Sequence, residues 1–430
     1  MSERHQFGFD TLAIHAGGRP DPETGARAVP IYATSSFVFE DAQQAADLFA
    51  LQTYGNLYSR IGNPTVAVFE ERIATLEGGL GAVATGSGLA AQLITVLTLC
   101  QQGDEIVASR SLYGGTHTQF DVTLRRLGID VTFVDFEDEA AVEAAITDKT
   151  KILYGEVIGN PRADVLDISR FADLAHSHGI PLVVDSTFAT PYLCRPIEHG
   201  ADIVVHSATK FISGHGTVIG GVVVEAGTFP FNNGNFPLIT DPSPAYHGLT
   251  FWDNFREYAF LTRARTEVLR DVGAGLSPFD AFLLLLGLET LPLRMRQHAA
   301  NARAVAEFLA KRDEVAWVSF PTFADNKWTT LAEKYLPEGP GAVFSFGLKG
   351  GYEACKTFIA SVELASHLAN IGDAKTLIIH PASTTHQQVP YEAREATGVG
   401  NDLIRISVGI ETLDDILWDL DQALTATQSA

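Results

Sequence analysis

The run DIVVHSATKFISGHG (202–216) starts as an apolar strand, Ile203, Val204 and Val205, and then turns to small and hydroxylic residues around one lysine, Lys210. Burying a lysine is unfavourable unless it is paired or gives up its proton. Among Ser207, Thr209, Ser213, Gly214 and Gly216, Lys210 therefore reads as a reactive amine at a strand end. A second apolar run, PLVVD, ends on Asp185 with Thr187 two residues on. A third element, ATGSGLAAQLI, sets Gly86-Ser87-Gly88 before a helical pattern that runs from Leu89, and the free N–H groups of a helix start make a phosphate site. Singly, each has an ordinary explanation: a lysine stem lying on the surface, a turn aspartate, a tightly packed glycine turn. Together they offer an amine, an acid and a phosphate cradle.

That set is what pyridoxal 5′-phosphate (PLP) requires. A lysine condenses with its aldehyde, a carboxylate keeps its pyridine nitrogen protonated, and a helix start with hydroxyls holds its phosphate. Ser207 to Lys210 also fits S-x-x-K, the nucleophile motif of penicillin-binding proteins. The S-D-N and K-T-G elements that such enzymes need are missing from the sequence, so that alternative is rejected.

These residues must be carried by an alternation of strands and helices. Helices are expected over 66–76 and 90–99, and strands at EIVAS, VTFVD, KILYGEV, PLVVDST, DIVVHS and GGVVV. DEAAVEAAI and DISRFADLAHSHG, with apolar spacing of three and four, lie between them. Such alternation argues for an α/β layer with a mainly parallel sheet, in which ligands gather at the carboxyl ends of the strands. Residues 1–62 read as an extended, turn-rich arm, 63–272 as the large α/β domain, and 273–430 as a smaller α+β domain containing AVFSFGLK and DLIRISVG. The stretch 228–255, rich in Pro, Gly, Asn and aromatics, fits no regular pattern and reads as a long ordered loop, a class that often shapes active sites.

Bulk composition narrows the function. With 30 basic and 52 acidic residues the net charge is −22, which argues against nucleic acid or an anionic membrane as partner. Cys100, Cys194 and Cys355 form no CxxC pair, so neither a disulfide framework nor a cysteine zinc site is expected. The N-terminus lacks the apolar core of a signal peptide, and the longest apolar run, Phe282 to Leu288, is too short to span a bilayer; a cytoplasmic protein is expected. His206, His215, His380 and His386 fall near the motifs, but their spacing makes no metal site.

DSTFATPYLCRPIEHGADIVVHSATKFISGHG closely resembles the Cys/Met-metabolism PLP enzymes, the cystathionine γ-synthase-like group. YSRIGNPT, ATGSGLAA, SLYGGT, EVIGNP, IGDAKTLIIHPASTTH and LIRISVGIE extend the resemblance over nearly the whole chain. It implies a fold type I PLP-dependent transferase, aspartate aminotransferase-like. By the same resemblance Lys210 would bind the cofactor covalently and serve as acid and base, Asp185 would pair with the pyridinium nitrogen, and Thr187 would help seat the ring. Gly88 and Leu89 N–H groups, with the Ser207 and Thr209 hydroxyls, would hold the phosphate. Tyr113 would stack on the ring and relay a proton, and Asn160 would bond the ring's 3-oxygen. Arg405 would clamp the substrate carboxylate, a bidentate task suited to guanidinium, with Asn370 orienting it. Tyr58 and Arg60 would reach a neighbouring subunit's phosphate site, which implies a homo-oligomer, in this family usually a tetramer, with sites shared across a dimer.

Within the group, 228–255 and IGDAKTLIIHPASTTHQQ are most similar to the branch that acts on O-acetylhomoserine. The implied reaction is γ-replacement of acetate by sulfide to give homocysteine. Cystathionine γ-synthase and O-succinylhomoserine sulfhydrylase activity are the alternatives. A γ-lyase is disfavoured because Gly115 stands where methionine γ-lyases carry a cysteine. A non-catalytic PLP-binding regulator is the alternative of another class.

Overall fold

The computed structural model describes residues 5–159, 163–384, 387 and 399–428. Its centre is a seven-stranded sheet of β1 (Gly81–Thr85), β2 (Glu105–Ser109), β3 (Asp130–Val134), β4 (Thr150–Glu156), β5 (Leu182–Asp185), β6 (Ile203–His206) and β7 (Gly221–Glu225). The order is β1-β7-β6-β5-β4-β2-β3, parallel except for β7, which runs antiparallel to both β1 and β6. This is the mainly parallel sheet expected from the sequence.

Both faces are buried, as a parallel sheet demands, and the two-residue period divides the strands cleanly. Val107, Leu153, Val184, Val204, Val222 and Val224 face one apolar cluster, with α3 (Pro64–Glu77) and α7 (Ile168–Ser177) on that side. Ile106, Ile152, Tyr154, Val183, Ile203, Val205 and Val223 face the other, under α4 (Gly88–Leu99). α5 (Gly114–Thr118) and α6 (Glu139–Ala145) complete the connections that lead to the site. The first cluster continues into the helices Pro278–Glu289 and Leu291–Leu309 and onto a second sheet. That sheet comprises β8 (Val315–Ser319), β9 (Val343–Leu348), β10 (Ser366–His367), β11 (Leu377–Ile379) and β12 (Leu403–Ser407), ordered β10-β11-β12-β9-β8 and antiparallel except at β10–β11.

Three expectations need correction. The segment before residue 62 is not simply extended: it contains α1 (Phe9–His15) and α2 (Ala42–Phe49). Asp41 caps α2 by accepting from Gln44 N at 2.7 Å, and Ala13 of α1 is fully buried in the main core. The strand β1 was not expected, because GAVAT offers only small apolar side chains beside a glycine turn. Finally, 228–255 is not one irregular loop: it contains short helices at Pro237–Thr240 and Phe251–Phe255. Phe229, Phe231, Phe236 and Phe251 bury themselves against the α4 face, and Asn233 and Asn235 donate to the Gly179 carbonyl, at the amino end of β5 and opposite Asp185.

The crossing of β7 beneath the start of α4 is the tightest backbone approach near the site. A Cβ on Gly221 would lie 2.1 Å from the Ser87 carbonyl oxygen and 2.7 Å from Gly88 N. Gly221→Ala must therefore push α4 off the sheet, and we expect a loss of about 2 kcal/mol, typical of overpacking. It should appear as a lower urea midpoint at unchanged slope.

Candidate active site

Strands β4, β5 and β6 end side by side, and their carboxyl ends carry Glu156, Asp185 and Ser207. Thr187 fixes the spacing of two of these ends: its N–H donates to Asp185 Oδ1 at 2.8 Å while its hydroxyl accepts from Ser207 N at 2.8 Å. Burial raises the Asp185 pKa against the lowering effect of the Thr187 bonds. The carboxylate has no ion-pair partner among the described residues. It is a half-buried acid.

Ser87 caps α4, its hydroxyl accepting from Ala90 N at 3.1 Å. The next two N–H groups, of Gly88 and Leu89, have no partner within the helix. A Cβ on Gly88 would fall 2.7 Å from Ser207 Cβ, so only glycine lets the helix start meet the Ser207 turn. The Gly88, Leu89 and Ser207 group thus forms a cradle at a helix N-terminus. Thr209 is differently placed: its hydroxyl donates to the Gly220 carbonyl at 3.2 Å and accepts from Gly220 N at 3.0 Å, tying the turn to the entry of β7.

Lys210 follows on this turn. Its Nζ donates to Asn370 Oδ1, and an Arg405 N–H donates to the Asn370 carbonyl at 3.4 Å. Asn370, from the loop before β11, thus joins the lysine to the arginine of β12, 195 positions further along the chain. Burial first, and the neighbouring Arg405 charge second, bring the Lys210 pKa down to about 8. The turn is clamped from behind. Buried Arg294 donates to the carbonyls of Phe211 (2.6 Å), Ile212 (3.3 Å) and Gly287 (2.6 Å) and to Thr290 Oγ1 (3.1 Å). Gly372 (φ +74) lies so close that a Cβ there would meet Phe211 N at 2.7 Å and Lys210 Cα at 3.1 Å.

A cleft of about 1340 Å³ opens beside these residues, lined by Leu89, Tyr113, Glu156 and Arg405 among others. Lys210 does not line it, its amine being turned onto Asn370. Tyr113 is 48% exposed at the cleft, with its N–H donating to Glu156 Oε1 at 2.6 Å. A Cβ on Gly115 would sit 2.4 Å from the Tyr113 ring, so any larger residue there displaces that ring.

Two expected residues stand apart. Tyr58 and Arg60 are exposed, and the guanidinium lies 5.2 Å from the Tyr58 ring centroid; no contact joins them to Lys210, Asp185 or Arg405 among the described residues. Asn160 lies outside the described residues, as does His386. The other three histidines have separate partners. His206 bonds Glu77 at 2.6 Å, His215 bonds the Ser213 carbonyl at 2.6 Å, and His380 bonds Ser383 Oγ at 2.9 Å. Among the described residues no cluster of metal-ligating side chains occurs.

Glu156 and Gln92 join the site without having been singled out from the sequence. Glu156 ends the apolar run KILYGE just as Asp185 ends PLVVD, and Gln92 is the one amide in the apolar helix GLAAQLITVLTL, one turn from Gly88. Both signals were there to be read.

This arrangement fits PLP: an amine of lowered pKa, a half-buried acid without an ion-pair partner among the described residues, and a helix-start cradle that a single Cβ would fill. Comparison with known proteins agrees. Residues 10–425 match the Cys/Met metabolism PLP-dependent enzyme family, and the chain belongs to it. It is 50% identical over 427 residues to O-acetyl-L-homoserine sulfhydrylase of Leptospira meyeri, covering 97% of both chains. It is 52% identical to homocysteine synthase of Schizosaccharomyces pombe, covering 97% of this chain and 98% of that one. Among solved structures, an O-acetylhomoserine (thiol)-lyase of Campylobacter jejuni superposes with a TM-score of 0.94 at 38% identity, over 97% of this chain and 100% of that one. That relative carries pyridoxyl-lysine 5′-monophosphate.

With its amine titrating at about pH 8, Lys210 should react with an aldehyde faster as pH rises through that value, since only the neutral amine is nucleophilic. The rate of PLP uptake by the cofactor-free protein, followed by absorbance, should rise accordingly. Arg405→Leu removes a positive charge that disfavours the ammonium form, so the same profile should move to higher pH.

Proposed function

We propose that this member of the Cys/Met metabolism PLP-dependent family converts O-acetyl-L-homoserine and sulfide to L-homocysteine and acetate. The observation that carries this reading is the convergence of Lys210, Asn370 and Arg405 in a chain whose full-length relatives bear that activity in their names. PLP, when bound, supplies an electron sink that makes the substrate's α-proton removable. The remaining roles fall to this chain's side chains.

Asp185 would hold the pyridine nitrogen protonated, with Thr187 seating the ring. The Gly88 and Leu89 N–H groups and the Ser207 hydroxyl would hold the phosphate, with Thr209 bracing the turn from Gly220. Asn160 is assigned to the ring's 3-oxygen by family resemblance. Arg405 would clamp the substrate carboxylate in a bidentate pair, and Asn370 would steer it. Lys210 would take the proton from the substrate Cα. Its neutral form is accessible near pH 8, which suits it to that task and to returning the proton. Tyr113, over the cleft, would stack on the ring and relay a further proton. At the γ-carbon the C–O bond to acetate breaks and a C–S bond to sulfide forms.

The exposed Tyr58–Arg60 pair supports a site completed by a second copy of this chain, in a homo-oligomer of tetrameric type. The division into an arm (1–62), a PLP-binding domain (63–272) and a smaller domain (273–430) belongs to the same reading, as does a cytoplasmic location. Among the described residues no helix is long and apolar enough to cross a membrane.

The test is a product assay on purified, PLP-loaded protein, offering O-acetyl- or O-succinyl-homoserine with sulfide, cysteine or no thiol. We expect homocysteine chiefly from the acetyl ester and sulfide. Cystathionine, or 2-oxobutyrate formed regardless of sulfide, would overturn the assignment. Lys210→Ala should lower turnover about a thousandfold or more, in line with loss of a positioned acid–base group, and normal turnover would remove Lys210 from its role.

A further inference from the structure

Behind Asp185 lies a buried polar network that none of the roles above uses. Gln92, on the first turns of α4, is 3% exposed. Its Nε2 lies 3.2 Å from Asp185 Oδ2, 2.9 Å from the Tyr154 hydroxyl and 3.0 Å from the Thr116 hydroxyl. Its Oε1 is buried and has no partner among the described residues. An amide nitrogen carries two protons, so three acceptors compete for them. Turning the amide over would satisfy Oε1 from the two hydroxyls but would set a carbonyl oxygen against the Asp185 carboxylate. The observed orientation leaves a buried carbonyl oxygen unpaired, which is unfavourable. Turned over, the two Nε2 protons would in turn lack an acceptor, so only this orientation lets the amide donate, and Asp185 is among its acceptors.

A second carboxyl sits beside the first. Glu156 and Asp185 are register partners on adjacent parallel strands, Glu156 buried and Asp185 half-buried, both at the carboxyl ends of central strands. Burial, and then the neighbouring Asp185, hold the Glu156 pKa well above the usual carboxylate range. Tyr154, on the same strand as Glu156, is likewise pushed up by burial and by the two acids. Like charges on neighbouring strand ends in a dry site oppose one another's ionisation, which favours keeping one of the two protonated. Asp185 receives hydrogen bonds from Thr187 N and from Gln92, and His206 on β6 adds a favourable field. Glu156 receives one, from Tyr113 N.

We propose that Gln92 is a positioning residue: anchored on Tyr154 and Thr116, its amide holds Asp185 rather than Glu156 as the ionised acid, oriented to pair with a cationic ring. Gln92 acts through Asp185 and touches no reacting atom. The inference rests on the PLP reading above.

The test compares wild type and Gln92→Leu as full-length, PLP-loaded proteins. Three quantities are read: the rate of cofactor loss on dialysis, the pH titration of cofactor absorbance, and the melting temperature of the cofactor-free protein. Loss of one hydrogen bond to a charged group should speed PLP loss about tenfold and displace the absorbance titration, because the acid facing the ring is no longer held ionised. Should Gln92→Leu not fold, Tyr154→Phe removes one anchor and little volume, and a smaller change of the same sign, about threefold, is expected. Unchanged retention and titration in the variant used would overturn the proposal. So would a lowered melting temperature with both unchanged, which would mark Gln92 as packing alone. A wild-type chain that takes up no PLP would overturn the function reading together with the proposal, and is thereby distinguished from a failure of Gln92 only.

Discussion

A lysine amine held where it can lose its proton is the constraint on which the site depends. An exposed Lys210 would stay charged at neutral pH, and a fully buried one without partners would destabilise the fold. The structure meets both demands by making the turn around the lysine rigid and the amine only partly dry. Arg294 ties the Phe211 and Ile212 carbonyls of that turn to the Gly287 carbonyl and the Thr290 hydroxyl, with no carboxylate partner among the described residues, a use for which the five-donor guanidinium is suited. Gly372 presses on the backbone of the same turn, at a distance that admits no side chain. The amine itself is left to Asn370.

Asn370 also explains why two sheets are needed. The large sheet can present an acid, a cradle and an amine, because three of its parallel strands end together and α4 starts above them. It cannot supply a carboxylate clamp from the opposite side. In the proposed reading that clamp is Arg405 on β12 of the second sheet, paired across the ladder to Ser345 and Ile379. The continuous apolar cluster from β4–β7 through the helices Pro278–Glu289 and Leu291–Leu309 sets the two sheets in place. The positive neighbour proposed to clamp the substrate is also one that lowers the lysine's proton affinity, so on that reading binding and acid–base chemistry share one charge.

What could be read from the sequence follows from how local each signal is. Lys210 and Asp185 stood out because an apolar strand running into a polar residue is a contrast visible within ten positions, and the strands around them were found by the same period. β1 escaped because Gly and Ala carry little hydrophobic contrast, and α1 and α2 because turn-rich composition masked two short helices. The burial of Phe229, Phe231 and Phe236 within 228–255 depends on their packing against one another, which composition alone cannot place. Arg405 and Asn370 entered through family resemblance, since nothing local links positions so far from Lys210. Glu156 and Gln92 are the opposite case, with local signals present and overshadowed by better-known neighbours.

The acidity of the chain gives the site its final condition. A net charge of −22 repels the anions this chemistry handles, namely a phosphate and a carboxylate. Attraction must therefore be local, from the α4 start at one end and Arg405 at the other. Helix-terminal N–H groups and a half-buried guanidinium both act at short range, where they outweigh distant surface charge that salt screens within about 8–10 Å. The protein can thus stay strongly acidic for solubility while offering anions a small cationic enclosure. Asp185, held by Thr187 and Gln92, would add the one acid that a ligand with a cationic centre and anionic ends calls for.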